Sequence, residues 1–148
     1  MIIEPSENKN LIGLDHYFNE IINIFNNGNI PNKILLSGRK GVGKSTLSYH
    51  IINYILSIKE DNKYDIKSFT INENNRSYKL LQNQSHPNFY QIDLLKEKKN
   101  IEVNQIREMI FNTNKFTFNN ESKFILIDNI EHLNKNSVNA LLKIIEEP

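Results

Sequence analysis

The sequence predicts an α/β fold in which a parallel sheet is covered by helices on both faces. Two short apolar runs rich in Ile and Leu, "KILLSG" from Lys33 and "KFILID" from Lys123, are typical of fully buried strands. The run "NFYQIDLL", from Asn88 to Leu95, has the aromatic and branched residues of a third strand. Helical patterns separate these runs, which indicates parallel strands joined by helical crossovers.

Three segments have the apolar spacing of amphipathic helices. In the first the apolar residues recur at i, i+4, i+5 and i+8, and in the second at i, i+3 and i+7. The third follows the last predicted strand and has Asn136 or Ser137 available as an N-cap. The apolar residues are Leu47, Ile51, Ile52 and Ile55; Val103, Ile106 and Ile110; and Val138, Leu141, Leu142 and Ile145.

The composition predicts one soluble domain in the cytoplasm. The chain has 148 residues, of which 39% are hydrophobic and 24% charged, and it has no apolar run of membrane-spanning length and no signal-peptide pattern. A net charge of +1 gives no reason to expect strong nucleic-acid binding by this segment alone. The absence of cysteine excludes disulfides and thiolate metal sites.

Residues 59–85 are polar and rich in Asn, and we interpret them as a surface insertion with a short strand around Lys67 to Ile71.

The motif "GRKGVGKST" predicts a phosphate-binding loop between the first strand and the first helix. Glycines let successive backbone N–H groups wrap a phosphate, and the following helix directs its N-terminus toward the same anion. Lys44 would contact the β- and γ-phosphates, Ser45 would bind Mg²⁺, and Thr46 would reach the α-phosphate. The predicted nucleotide-binding residues are Gly38, Arg39, Lys40, Gly41, Val42, Gly43, Lys44, Ser45 and Thr46.

A phosphate-binding loop also requires an acidic residue at the end of a neighbouring strand, which holds Mg²⁺ through water. Asp128 ends the apolar run from Lys123 and is therefore the second predicted magnesium residue, with Ser45. The letters of the guanine-binding motif N-K-x-D occur once, from Asn62 to Asp65, but without an apolar strand before them. We interpret that match as chance, so it gives no reason to expect a guanine nucleotide.

The C-terminal run resembles the ATPase module of bacterial DNA polymerase III clamp-loader subunits, in which an acidic strand is followed by an "N-A-L-L-K-x-x-E-E-P" helix. Further similar segments are "NLIGLDHYFNEI", "SHPNFYQID" and "IEVNQIREM". The matching residues of the helix are Asn139, Ala140, Leu141, Leu142, Lys143, Glu146, Glu147 and Pro148. The matching residues upstream are Leu11, Ile12, Gly13, His86, Pro87, Val103, Ile106 and Arg107.

The resemblance implies a three-layer P-loop NTPase fold of the AAA+ class, of which residues 1–148 would be the N-terminal part, without the lid and collar domains. It also implies ATP and Mg²⁺ as cofactors and a hetero-oligomeric ring of loader subunits, which acts on the sliding clamp and primer-template DNA. Leu11, Ile12 and Gly13 would lie near the adenine. The segment before the middle strand is similar to the delta prime type rather than the gamma/tau type. Relatives of both types often carry a four-cysteine zinc module in the region of residues 59–85, which this chain lacks or replaces.

The residue after Asp128 decides between two hypotheses about catalysis. The family's active members have a glutamate there as general base, whereas this chain has Asn129, an uncharged side chain without useful basicity. The first hypothesis is a subunit that binds MgATP with weak or no hydrolysis and has no catalytic residue of its own. The second is an active motor subunit in which Glu131 replaces the missing base. A small-molecule kinase is a third alternative, disfavoured because the chain lacks an Arg-rich lid.

Overall fold

The computed structural model describes residues 2–114 and 121–146, and the chain divides into two compact units, Met1–His86 and Pro87–Pro148. The first unit contains helices α1 (Asp15–Asn26), α2 (Lys44–Leu56) and α3 (Arg76–Gln82). The second contains strand β1 (Phe89–Ile92), helix α4 (Val103–Thr113), strand β2 (Phe124–Ile127), a 3₁₀ turn (Ile130–His132) and helix α5 (Lys135–Glu146). The described residues therefore form a mixed α/β structure. None of their helices has the length and apolar character needed to span a membrane.

The described sheet has two parallel strands in the second unit. β1 and β2 pair in register from Phe89 opposite Phe124 to Ile92 opposite Ile127, and α4 connects them along the chain. This arrangement confirms two of the three predicted strands and their parallel pairing. Because both strands run in the same direction, the residues that follow Ile92 and Ile127 lie at the same edge of the sheet.

The prediction of a strand at "KILLSG" is wrong. Residues 33–38 do not form a strand, and no strand of the described ranges pairs with them. Ile34 and Leu35 are 49% and 75% exposed. An apolar run supplies strand-forming side chains, but a strand also needs hydrogen bonds to a neighbouring backbone. The short strand predicted around Lys67 to Ile71 is likewise reduced to two isolated bridges at Thr70.

The second unit has an apolar core between its sheet and its two long helices. The predicted spacing of α4 is confirmed, because Ile106 is fully buried and Ile110 packs against the same cluster. A capping box between Glu102 and Gln105 starts this helix. The buried residues of the cluster are Ile92, Ile101, Ile106, Met109 and Leu141.

Helix α5 begins two or three residues earlier than predicted. Its first residue is Lys135, and the side chain of Asn134 accepts a hydrogen bond from the Ser137 N–H at 2.8 Å. Asn134 is therefore the cap, instead of Asn136 or Ser137. The Ser137 hydroxyl is buried and donates to the Ile101 carbonyl at 2.7 Å, an interaction that competes with capping.

The first unit packs the segment of residues 59–85 onto α2. The four apolar residues predicted to face inward from α2, Leu47, Ile51, Ile52 and Ile55, are all buried. The segment contains α3, a helix that the sequence pattern does not predict. Its residues Tyr64, Ile71 and Leu81 are buried. Phe18 of α1 stacks on Tyr64 with ring centroids 5.1 Å apart. The segment is thus part of the core of the first unit.

Candidate nucleotide-binding site

Two glycines of the loop before α2 have a backbone conformation that favours glycine. Gly41 has φ 82° and Gly43 has φ 99°, a region that residues with a Cβ rarely adopt. Gly43 is also the N-cap of α2, and the Leu47 N–H donates to its carbonyl at 2.9 Å. Because glycine has no side chain, it cannot cap the helix as serine or aspartate would. The N-terminus of α2 therefore receives no side-chain cap from Gly43, and the phosphate contact predicted there stays a prediction.

The ammonium group of Lys44 is held across the loop by two carbonyl groups. Its Nζ donates to the oxygens of Gly38 and Arg39, each at 2.9 Å. Lys44 is half-buried, whereas the loop carbonyls lie at the surface. These contacts hold the positive charge of Lys44 over the loop.

The remaining predicted nucleotide-binding residues divide into two groups by exposure. Ser45 and Thr46 lie in the first turn of α2 and are half-buried. The residues before the helix form the exposed rim of the loop, and they are Gly38, Arg39, Lys40, Gly41 and Val42. The structure therefore places Gly38 to Thr46 as one continuous loop and helix start.

The chain segment before α1 lies against this loop. A Cβ built on Gly43 would meet the Leu14 Cδ1 atom at 3.1 Å, which is too close for most side chains. Just before Leu14, Gly13 has φ 76°, Leu11 is buried, and Ile12 is 86% exposed. An apolar side chain is therefore displayed at the surface next to a segment that contacts the loop, although the adenine contact predicted there stays a prediction.

In the second unit, Asp128 follows β2 directly and continues its pairing with β1. The Asp128 N–H donates to the Ile92 carbonyl at 2.9 Å, and its carboxylate accepts from the Asn129 N–H at 2.9 Å. Asp128 is half-buried at the carboxyl edge of the two strands. A carboxylate at the end of a parallel strand is suited to hold a hydrated cation, as the sequence predicts for this residue.

Asn129 is held by a side-chain hydrogen bond to Asp93 that the sequence pattern does not predict. Its side-chain amide donates to Asp93 Oδ1 at 2.6 Å, and its backbone is left-handed, with φ 52° and ψ 43°. Asp93 occupies the position after β1 that Asp128 occupies after β2. The sequence did not mark Asp93 as a strand-ending residue, since it lies inside the run from Asn88 to Leu95 that was predicted as one strand.

Glu131, the alternative general base, lies on the 3₁₀ turn after Asn129. Its side chain is 69% exposed and lies 4.0 Å from the His132 ring. Within the described ranges, no group of three or more His, Asp and Glu side chains is arranged to hold a metal ion. Glu147 and Pro148, the last residues of the C-terminal helix motif, lie outside the described residues.

Comparison with known proteins decides the family. The family described as "DNA polymerase III, delta subunit" matches residues 13–148, which is most of the chain. The chain belongs to this family. The resemblance found in the sequence, to DNA polymerase III subunits of the delta prime and gamma type, is thereby confirmed.

Individual relatives include both subunit types. The chain is 29% identical over 132 residues to the DNA polymerase III subunit delta' of Buchnera aphidicola subsp. Schizaphis graminum, covering 88% of this chain and 38% of the relative. It is 31% identical over 144 residues to the DNA polymerase III subunit gamma of the same organism, and this match covers 97% of this chain and 37% of the relative. It is also 31% identical over 145 residues to subunit delta' of Buchnera aphidicola subsp. Baizongia pistaciae, covering 91% and 40%. The chain spans about two fifths of the length of these relatives.

Proposed function

We propose that this chain is the nucleotide-binding part of a clamp-loader subunit that binds MgATP and hydrolyses it weakly or not at all. Its fold would be the three-layer AAA+ arrangement, and its partners would be the other subunits of a hetero-oligomeric loader that places the sliding clamp on primed DNA. Membership of the DNA polymerase III delta subunit family supports this assignment.

Two separate observations support the proposal: the conformation of the glycine-rich loop in the first unit and the engaged amide of Asn129 in the second. Two glycines with positive φ precede α2, and Lys44 spans the loop. By contrast, the Asn129 side chain is uncharged and already donates to Asp93. Nucleotide binding uses the loop, whereas water activation needs a base, so the two functions separate.

The gamma type of subunit, an active motor, is the alternative. It would need Glu131 to act as the base, but this side chain is largely exposed and lies beside His132. A general base must be within hydrogen-bonding distance of a positioned water, and a largely exposed carboxylate is poorly suited to hold one. We therefore favour the delta prime type.

Nucleotide binding can be tested by titrating a fluorescent ATP analogue with and without Mg²⁺. We expect Lys44→Ala to weaken binding about 10- to 100-fold, because hydrogen bonds to charged groups contribute about 1.5–3 kcal/mol. Lys63→Ala, at an exposed lysine of the first unit, is the matched control and should bind as the wild type does. Equal binding by both variants would contradict the proposal.

Hydrolysis is tested separately, in the complete protein assembled with the other loader subunits. We expect the turnover of ATP by the assembly to be unchanged within about twofold when only this subunit carries Glu131→Gln. Loss of turnover in that variant would instead identify the subunit as a motor of the gamma type.

A further inference from the structure

The chain before α1 is paired with part of the segment of residues 59–85. Residues 9–11 run antiparallel to residues 69–71, with Asn10 opposite Thr70. The two backbone hydrogen bonds on either side of this pair are 2.9 and 3.1 Å long. Because both hydrogen bonds join backbone groups, they fix the path of the chain that leads into α1.

The residues just before this pairing are also held, by side chains from two helices. The His50 Nε2 group of α2 donates to the Asn8 carbonyl at 2.9 Å, since a carbonyl can only accept. The Tyr78 hydroxyl of α3 donates to the Glu7 carbonyl at 3.2 Å. The chain before α1 is therefore an integral part of the first unit.

Phe69 is the residue of the 59–85 segment that links this pairing to α1. Its backbone is left-handed, with φ 53°, a conformation that bulky residues rarely adopt. Its carbonyl accepts from the Leu11 N–H at 3.1 Å. Its half-buried ring packs edge-on against Phe18, with centroids 5.7 Å apart, and Phe18 is completely buried. The unfavourable backbone of Phe69 is thus combined with a hydrogen bond and an aromatic contact that favour it.

The contacts of Phe18 continue from Phe69 to the glycine-rich loop. The Phe18 N–H donates to the Leu14 carbonyl at 3.1 Å, in the first turn of α1. The Leu14 Cδ1 atom leaves no room for a side chain on Gly43, because a Cβ there would lie 3.1 Å away. Phe69, Phe18, Leu14 and Gly43 therefore form a continuous series of contacts, which ends at the N-cap of α2.

We propose that Phe69 is a positioning residue for the glycine-rich loop. By packing on Phe18 and pairing with Leu11, it holds Leu14 against Gly43 and keeps the start of α2 in one conformation. A loop that is already ordered loses less conformational entropy when a ligand binds, so Phe69 raises the affinity for the nucleotide without touching it. This inference rests on the proposed function, because the nucleotide would bind at that loop.

The role of Phe69 is tested by titrating the complete protein with N-methylanthraniloyl-ATP and Mg²⁺. Phe69→Asn removes the ring but keeps a residue that tolerates positive φ, and we expect it to weaken binding about fivefold or more. Ile66→Asn, at a residue 43% exposed close to Phe69 in the chain, is the matched control and should bind within about twofold of the wild type. Circular dichroism verifies that both variants are folded at the temperature of the titration. Equal affinity of the two variants for an analogue that the wild type binds overturns the proposal.

A cross-link distinguishes positioning from a general loss of packing. The chain has no cysteine, so Asn10→Cys with Thr70→Cys introduces a single disulfide between residues that face each other across the pairing. In the Phe69→Asn background, the oxidised protein should recover most of the lost affinity, and reduction should remove the gain. Loss of packing alone predicts no such reversible recovery. Failure of the disulfide to form, or weak binding by fully cross-linked protein, overturns the proposal.

Hydrogen exchange without nucleotide separates this proposal from the proposed function. We expect the amides of residues 41–47 to exchange about fivefold or more faster in Phe69→Asn than in Ile66→Asn, and the disulfide to slow them again. Unchanged exchange at these amides overturns the positioning role. A wild type that does not bind the ATP analogue contradicts the proposed function instead, and the exchange experiment then decides the role of Phe69 by itself.

Discussion

The cores of the two units differ in the kind of side chain that they bury. The second unit buries a cluster of aliphatic residues and Met109 between its sheet and helices, with Asn88 and Ser137 as isolated buried polar residues. The first unit buries apolar residues too, but it also encloses a set of hydrogen-bonded polar side chains. These polar side chains are His50, Asn53, Ser57, Asn75 and Ser77.

The polar residues of the first unit connect α2 to the segment that follows it. The amides of Asn53 and Asn75 form two reciprocal hydrogen bonds, at 3.2 and 3.3 Å, and Ser57 accepts from the Tyr64 N–H at 3.1 Å. The Ser77 hydroxyl donates to Glu60 at 2.6 Å. The difference teaches that the second core is specified mainly by volume, whereas the first depends also on a connected set of donor and acceptor positions.

The largest loss of stability is expected from a substitution in the apolar core of the second unit. Ile106→Ala should lower the free energy of unfolding by about 2–5 kcal/mol, because Ile106 is completely buried and its loss leaves a cavity. Urea unfolding followed by circular dichroism measures the change. Leu95→Ala, at a residue 53% exposed in the same unit, is the control and should cost less than about 0.5 kcal/mol. Equal losses in the two variants would show that the second unit is not held by this cluster.

An intermediate effect is expected from the polar pair. Asn53→Ala should cost about 1–3 kcal/mol, since it leaves buried donor and acceptor groups of Asn75 without their partner on α2. Adding Asn75→Ala should then cost less than the sum of the two single changes, because the shared hydrogen bonds are already lost. Strict additivity in this double-mutant cycle would mean that the two amides do not stabilise one another.

The smallest change in stability is expected from the protonation of His50 as the pH is lowered. Its Nε2 faces the Asn8 carbonyl, which can only accept, so Nε2 carries the proton and Nδ1 accepts from the Tyr64 hydroxyl. Burial lowers the pKa of His50 below its usual 6.5, and the hydrogen bond to Asn8 opposes this shift in part. The same burial raises the pKa of Tyr64, which keeps its hydroxyl a donor.

The sign of the pH dependence follows from the direction of the His50 shift. The unfolded chain takes up a proton at higher pH than the folded chain, so stability is complete above about pH 6.5 and falls as the pH is lowered from there. We expect unfolding free energies measured at pH 7.5 and 5.5 to differ less in His50→Gln than in the wild type. His16→Gln, at an exposed histidine of the same unit, should keep the wild-type difference. If His50→Gln showed the same difference in unfolding free energy between the two pH values as the wild type, other groups would be responsible for the pH dependence.

The sequence predicted much of the second unit because its signals are local. The spacing of Ile106 and Ile110 indicated a helix with one buried face, and the apolar run before Asp128 indicated a strand. The polar core of the first unit could not be predicted in this way. Asn53, His50 and Ser57 have the composition of a surface, and only their partners on distant segments make their burial favourable.

By itself, the sequence determined the family, the position of the glycine-rich loop before α2, and the parallel pairing of two strands, since each depends on residues close together in the chain. The tertiary structure decided that residues 33–38 form no strand and that Asn129 donates to Asp93. Both outcomes depend on backbone or side-chain partners that lie far away in the sequence. Hydrogen bonds are short and directional, so a pattern of residue types predicts which groups need partners, and only the folded chain determines which partners they find.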